Sequence, residues 1–354
     1  MEERSCLKVP KRLGARGIFV ARALKLQDKR LIVRKEDDFV IIPLSRDPKA
    51  EDLTVLRGKL QNVVITTYRF KEKRQNETLY EVIAGVVPAQ LLTKIPRSMD
   101  IIGHVAIIEV PSELGDYKNQ LGKAILKVNK SIKTVLAKVS AIGGKYRLRK
   151  YERLAGIKET KTIHREHGCV YHLDPRKVYF SPRLSQEHWR VTKKVKTDEV
   201  IIDMFAGVGP FSIQIAKRHS SVKVYAIDIN PSAIRFLKQN IIANKVNNVT
   251  PILGDARETI VSDLASKADR IIMNMPEGAI EFIDIACRAL QDSKRGVIHY
   301  YGFESEPSAL EKGRKRVESA ISDAGWTVEG VNECRLVRSI APHEWQVAVD
   351  VLVS

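Results

Sequence analysis

The chain has 354 residues, 44% hydrophobic and 29% charged, with a formal net charge of +18; this is enough for two or three domains with a sizeable core. No apolar run reaches membrane-spanning length, and the charged start Met1-Glu-Glu-Arg4 lacks the apolar core of a secretory leader. No membrane association and a cytoplasmic location are therefore expected. Four widely spaced cysteines (Cys6, Cys169, Cys287, Cys334) form no C-x-x-C pair, which argues against a disulfide framework and a zinc ribbon.

The positive charge is segregated. Residues 1–198 hold 42 basic and 22 acidic side chains, a net of +20, whereas residues 199–354 hold 18 and 20, a net of −2. Segregation of this kind points to a polyanion bound by the front half, with nucleic acid the leading candidate.

In chain order, residues 1–66 read as a small separate module. Gly14 to Leu26 has helical character, Leu31–Arg34 and Phe39–Pro43 read as short strands, and a charged linker follows. Residues 67–170 read as a basic α+β domain, with a strand-like run from Asp100 to Val110 and a helix from Tyr117 to Val128. Its sharpest patch, Leu121 to Lys150, carries nine basic residues and no acid, so phosphate contacts there would make binding strongly salt dependent. His164, His167, Cys169 and His172 lie on a hairpin-like segment; their irregular spacing favours satisfied polar groups or RNA contacts over a metal site. No cysteine follows a proline, against the Pro-Cys nucleophile of cytosine C5 methylation.

Residues 171–354 read as an α/β domain. Tyr171 to Val195 leads in, and Glu199-Val-Ile-Ile-Asp203 is a short, β-branched strand suited to a sheet covered on both faces. The turn Met204-Phe205-Ala-Gly207-Val208-Gly209 then opens a helix at Pro210, where the missing N–H costs little. Lys223 to Asp228 is a second strand whose acid falls twenty-one residues after Gly207, where a carboxylate can accept from two ribose hydroxyls. Thr250 to Asp255 and Asp269 to Met273 supply two further strands, and Gln346 to Val353 closes the sheet. Acids at the carboxyl ends of parallel strands lie on the ligand-binding edge of such sheets. Ser212 stands where a dinucleotide fingerprint needs its third glycine, and this favours S-adenosylmethionine, which has no pyrophosphate, over NAD. Asn274-Met275-Pro276 places an amide and rigid carbonyls after the fourth strand, suited to orienting a planar nitrogen nucleophile. The plainer alternative is a helix N-cap.

Taken together, Val9-Pro10, Asp100-Ile-Ile-Gly103, Ile132-Lys-Thr-Val135, Tyr146-Arg147, Leu154-Ala-Gly156, Thr162-Ile-His164-Arg-Glu-His-Gly168, Val178-Tyr179-Phe-Ser-Pro-Arg183, Asp203-Met-Phe-Ala-Gly207 and Asn274-Met-Pro276 resemble the archaeal and eukaryotic tRNA (guanine-N1)-methyltransferase family, over nearly the whole chain. The resemblance implies a Rossmann-like, class I S-adenosylmethionine-dependent domain behind a basic RNA-binding domain. The first module would check the outer corner of tRNA. The implied reaction is methylation of N1 of guanosine 37, 3′ of the anticodon, by a monomer; a magnesium ion (Mg2+) is allowed by the resemblance.

Guanine N1 is protonated at neutral pH, so a base must remove its proton while something steadies charge on O6. By resemblance these are Glu187 and Arg147, with Asn274 and Pro276 holding the splayed base and Tyr179 shaping its pocket. Asp203, Phe205, Gly207, Val208, Gly209, Asp228, Ile229, Asp255, Ala256 and Asn274 are the expected cofactor residues. The wyosine-pathway branch tends to carry Asn-Pro-Pro-Tyr where this chain has Asn274-Met275-Pro276-Glu277. Carbon methylation and aminocarboxypropyl transfer at position 37 are thus the alternatives. Methylation of a protein amide or adenine nitrogen would leave the 42 leading basic residues unexplained, and a non-catalytic RNA binder would leave the acids at 203, 228 and 255 unexplained.

Overall fold

A computed structural model describes residues 2–60, 62–72, 77–291 and 295–354, which form two compact units, residues 1–78 and 79–354. In the first unit, β1 (Glu2–Pro10) leads through α1 (Gly14–Ala23) to β2 (Arg34–Glu36), β3 (Phe39–Pro43), α2 (Ala50–Lys59) and β4 (Val64–Phe70). The antiparallel sheet has the order β2-β3-β1-β4. Its core is Leu7, Val9, Val20, Leu26, Ile42 and Leu56; each such side chain contributes about 1.5–3 kcal/mol on burial. The boundary expected after residue 66 falls after Thr78. The physical reason is β4, which pairs with β1 from Val64 to Phe70 and buries Phe70 completely.

Residues 79–354 form one compact unit that holds two sheets and a hairpin. After α3 (Leu79–Ile83) come β5 (Asp100–Ile102), β6 (Val105–Ile108), α4 (Lys118–Val128), β7 (Thr134–Lys138) and β8 (Tyr151–Gly156), in a sheet of order β5-β6-β7-β8. The single strand expected over 100–110 is broken at Gly103, whose φ of +55° makes the turn between β5 and β6. Helix α4 lays Leu121, Ala124 and Ile125 on the sheet and carries its lysines outward. A hairpin, β9 (Thr162–Glu166) and β10 (Cys169–Leu173), leads to α5 (Ser185–Lys194).

The rest is a seven-stranded sheet: β11 (Val200–Asp203), α6 (Pro210–Arg218), β12 (Lys223–Asp228), α7 (Pro231–Asn244), β13 (Val249–Leu253), α8 (Ala256–Thr259), β14 (Arg270–Met273), α9 (Ile283–Ala289), β15 (Gly296–Ser305), α10 (Ala309–Asp323), β16 (Val328–Ala341) and β17 (Glu344–Val353). The order is β13-β12-β11-β14-β15-β17-β16, parallel through β15, with β17 antiparallel between β15 and β16. Val224, Phe211, Leu237 and Tyr301 fill the layer on one face, and Ile202, Ile271, Ile283 and Val317 that on the other. Strand order reverses between β11 and β14, which opens a crevice at their carboxyl ends. The hairpin is fastened to α7 by Asn240 and Asn244, whose side-chain oxygens accept the His172 and Val170 N–H groups at 2.6 and 2.9 Å. This docking sets where the following segment, with Tyr179, meets the crevice.

The boundary has a measurable consequence. A fragment of residues 1–78 is expected to melt cooperatively, whereas one of residues 1–66 loses Phe70 and most of β4, a loss of about 3–5 kcal/mol from the aromatic core position alone. Circular dichroism melts of the two fragments check this; equal midpoints would contradict it.

Candidate active site

Strand β11 ends at Asp203 and the chain turns through Gly207 and Gly209, both at positive φ (+57° and +88°). Gly209 is required sterically as well, because a Cβ there would lie 2.5 Å from Leu237 Cδ1. The turn is gripped from the neighbouring strand. Asp228 Oδ2 accepts the Gly207 N–H at 2.7 Å and Oδ1 accepts the Asn230 N–H at 2.8 Å. Burial pushes the Asp228 carboxyl up, partly offset by those two N–H groups. Asn230 in turn caps α7 by accepting the Ser232 N–H at 2.9 Å, with Pro231 at the first helical position.

A cavity of about 220 Å³ lies over this turn. Phe205, Ile229, Ala256 and Phe282 give it an apolar slot, and Asp228 lies in its wall. Phe205 and Phe282 meet edge to face at 5.0 Å, and the Arg257 guanidinium caps Phe282 at 3.7 Å. Asp255 caps α8 by accepting the Arg257 N–H at 2.9 Å. A carboxylate with lone pairs left for two hydroxyls, beside a flat apolar slot, fits the adenosine part of S-adenosylmethionine. At the other end stand Asn274, Met275 and Pro276.

A second cavity, of about 310 Å³, adjoins the first. Ile142, Arg147, Tyr179, Phe303 and Arg338 belong to the walls of both. The second is basic, with Lys138, Arg149 and Arg183 in its lining, and has the aromatic faces of Tyr151 and Phe180. Arg147 adopts φ +53° and pairs through Nη1 with Glu277 Oε2 at 2.7 Å.

Ten of the residues singled out from sequence line the first cavity: Arg147, Tyr179, Phe205, Gly207, Asp228, Ile229, Asp255, Ala256, Asn274 and Pro276. Four line neither cavity. Val208 is buried in the core, with its carbonyl accepting from Asn240, and Gly209 is the left-handed cap of α6. Asp203 lies behind the turn, where Oδ2 accepts the Ser212 hydroxyl at 2.7 Å; it shapes the loop and does not face the cavity. Burial, with the Asp228 charge adding to it, pushes its carboxyl up to about 7 despite the Ser212 hydrogen bond.

Glu187 differs most from expectation. Its carboxylate, 2% exposed, accepts from Arg190 Nε at 2.9 Å and the Tyr301 hydroxyl at 3.1 Å, and pairs with Arg335 Nη1 at 2.7 Å. It is an ion-paired group one layer beneath the site, not a free base in it: Tyr301 is two residues before Phe303 on β15 and Arg335 three before Arg338 on β16. The carboxylate beside Arg147 is that of Glu277. The sequence places Glu277 beside the Asn-x-Pro turn but gives it no role of its own, and it gives no local signal for Phe303 or Arg338.

His167 stacks on Trp189 at 5.1 Å and His164 meets Phe180 edge-on at 5.1 Å, so these two hairpin histidines pack against aromatic rings. Among the described residues no group of three or more His, Cys, Asp or Glu could hold a metal ion, and no helix is long and apolar enough to cross a membrane.

A reversed parallel sheet with an antiparallel seventh strand, an acid gripping the glycine turn, and an Asn-x-Pro after the fourth strand define a Rossmann-like, class I S-adenosylmethionine-dependent methyltransferase. Residues 162–329 match the TRM5/TYW2 methyltransferase domain and residues 79–160 the TYW2 N-terminal domain. The tRNA (guanine(37)-N(1))-methyltransferase Trm5b of Pyrococcus abyssi is 43% identical over 92% of both chains. The crystal structure of that species' wild-type Trm5b superposes with a TM-score of 0.73 at 40% identity, covering 99% of each chain. A complex of aTrm5 with tRNALeu does so at 0.69 and 32%, again covering 99% of each. The chain belongs to the TRM5/TYW2 methyltransferase family.

Asp203 gives the site a pH signature. Its folded pKa of about 7 lies above the ordinary 3.8, so between pH 4 and 7 the folded state keeps a proton that the unfolded chain has released, and stability falls as pH rises through that window. Relative to Asp203→Asn, the wild-type melting temperature is expected to drop by a few degrees from pH 4 to 7. Parallel curves for the two proteins would contradict the shift.

Proposed function

We propose that the protein transfers a methyl group from S-adenosylmethionine to N1 of guanosine 37 in tRNA. The observation that carries this reading is the shared wall: a cofactor-shaped cavity ending in Asn274 and Pro276 opens past Arg147, Tyr179 and Arg338 into a basic, aromatic-lined cavity fit for a splayed nucleotide. When bound, S-adenosylmethionine supplies an electrophilic methyl on its sulfonium. Asp228 would hold the ribose hydroxyls and Phe205, Ile229 and Phe282 the adenine. Arg147 would leave Glu277 for the guanine O6, and Tyr179 and Pro276 would confine the base. The similarity to proteins named for this reaction, and to one solved with tRNALeu, supports the reaction and the substrate. The first unit would check the outer corner of the tRNA, and a cytoplasmic location goes with that substrate.

Glu187 is the proposed acceptor of the N1 proton. Of its three partners, Arg190 and Tyr301 are buried whereas Arg335 is 36% exposed. Arriving RNA phosphate would draw Arg335 off and bare the carboxylate.

Digestion of tRNA after reaction with labelled S-adenosylmethionine, followed by mass spectrometry, should give N1-methylguanosine. A carbon-methylated or aminocarboxypropylated nucleoside would overturn this reading in favour of the wyosine-pathway alternatives. In single-turnover assays, Glu187→Gln and Arg147→Ala should each slow transfer by about 100-fold or more with cofactor binding nearly intact. A normal rate for Glu187→Gln beside a slow Glu277→Gln would move the base to Glu277.

A further inference from the structure

Arg338, on β16, stands in the wall common to both cavities. Its Nε–H donates to Gln346 Oε1 at 2.8 Å, Nη1 to the Ser181 hydroxyl oxygen at 2.9 Å, and Nη2 to the Tyr179 hydroxyl oxygen at 3.2 Å. A guanidinium has only donors. The Gln346 atom facing it must therefore be oxygen, which leaves the amide nitrogen at the other fork of that side chain. Gln346 is fully buried on β17, so it has no water to turn towards. Its Nε2 donates to Asn274 Oδ1 at 3.4 Å.

The polarity then passes one step further. With Oδ1 turned to Gln346, Asn274 is left with its Nδ2 group, which has no hydrogen-bond partner among the described residues, in the cavity wall. An amide held this way offers donors, not an acceptor, to what lies in front of it. We infer that Arg338 and Gln346 are positioning residues that fix the Asn274 amide as a donor towards the substrate base. This rests on the guanine N1 reading. A donor there suits guanine O6, which gains negative charge as N1 loses its proton; adenine carries an amino group, itself a donor, at the same edge. The relay thus serves both transition-state stabilisation and the choice of guanine over adenine. It also ties Asn274 to Tyr179 through one arginine, so that two walls of the base pocket move together.

The test is an isosteric substitution that inverts the relay. Gln346→Glu keeps the shape and the contact with Arg338, but its second oxygen accepts from Asn274 Nδ2 and turns Oδ1 into the cavity. On the full-length enzyme with transcribed tRNA, the single-turnover rate at saturating RNA should fall about 100-fold, as when one oxyanion donor is lost. The KM for tRNA, calorimetric binding of S-adenosylmethionine and the melting temperature should stay near wild type. Gln346→Met, which leaves Asn274 free to face either way, should lose only about tenfold. A near-normal rate for Gln346→Glu, or a Met variant as slow as the Glu variant, would overturn the inference. If Gln346→Glu does not fold, Arg338→Leu carries the test: about a tenfold loss with cofactor binding intact is expected, and a wild-type rate overturns it. The nucleoside made by the wild-type enzyme keeps the two readings apart. If it is not N1-methylguanosine, the functional reading fails; if it is, and Gln346→Glu is as fast, only the relay fails.

Discussion

The active-site half of this protein depends on one grip: the Asp228 carboxylate at the end of β12 accepting the Gly207 N–H at the end of β11. It fixes the glycine turn against the neighbouring strand at the point where strand order reverses. The same carboxylate lines the first cavity, so one side chain fixes the loop and would also make the proposed ribose contact. Removing an ion from water is costly, and the fold meets that cost with two backbone N–H groups and not with a cation. A lysine or arginine there would compete with a ligand hydroxyl for the carboxylate; N–H groups leave its other lone pairs free.

Behind the site, charge is handled in the opposite way. A buried chain runs from Glu187 to Arg190, Asp350, His299, Arg270 and Glu199, each neighbouring pair within 3.2 Å. Arg270 can only donate, so His299 faces it with the Nε2 lone pair and gives its Nδ1–H to Asp350. Burial holds His299 below its ordinary pKa, keeping it neutral. Burial also works to raise the Asp350 carboxyl, but His299 and Arg190 outweigh it and hold the group far below the usual carboxylate range. A network of this kind adds little net stability relative to an apolar core, yet breaking one member leaves a buried charge unpaired. Its effect is to hold α5 against β15 and β17 in one register, and with it Glu187.

The division of charge along the chain matches the division of labour. The basic excess lies ahead of the sheet, shared between the first unit and a following segment whose lysines ride the outer face of α4 and whose arginines enter the second cavity. The near-neutral sheet domain holds a cofactor of modest charge. Arg147 bridges the two: it belongs to the basic run in sequence and to the cofactor cavity in space, held at its rim by Glu277.

Sequence alone determined what is local. Strand, glycine turn, helix and terminal acid are short-range patterns, and β11 to β14 fall where the β-branched runs and acids place them. The Asn274 turn was legible for the same reason. Whether a residue of the motif faces a ligand was not, because strand side chains alternate and loops turn: Asp203, Val208 and Gly209 sit in the fingerprint but behind the cavity. Contacts between residues far apart in the chain were invisible. Strand β1 pairs with β3 and β4 across some thirty to seventy residues, and this moved the first boundary to 78. Arg338 reaches Tyr179 and Ser181 across more than 150 positions, from a strand whose sequence says only that it completes a sheet. The periodicity of a chain encodes which face of an element is apolar; which side chains of distant elements meet at that face is decided by packing, and in this protein that decision placed Arg338 in the wall of both cavities, Gln346 buried behind it and Glu187 beneath the site.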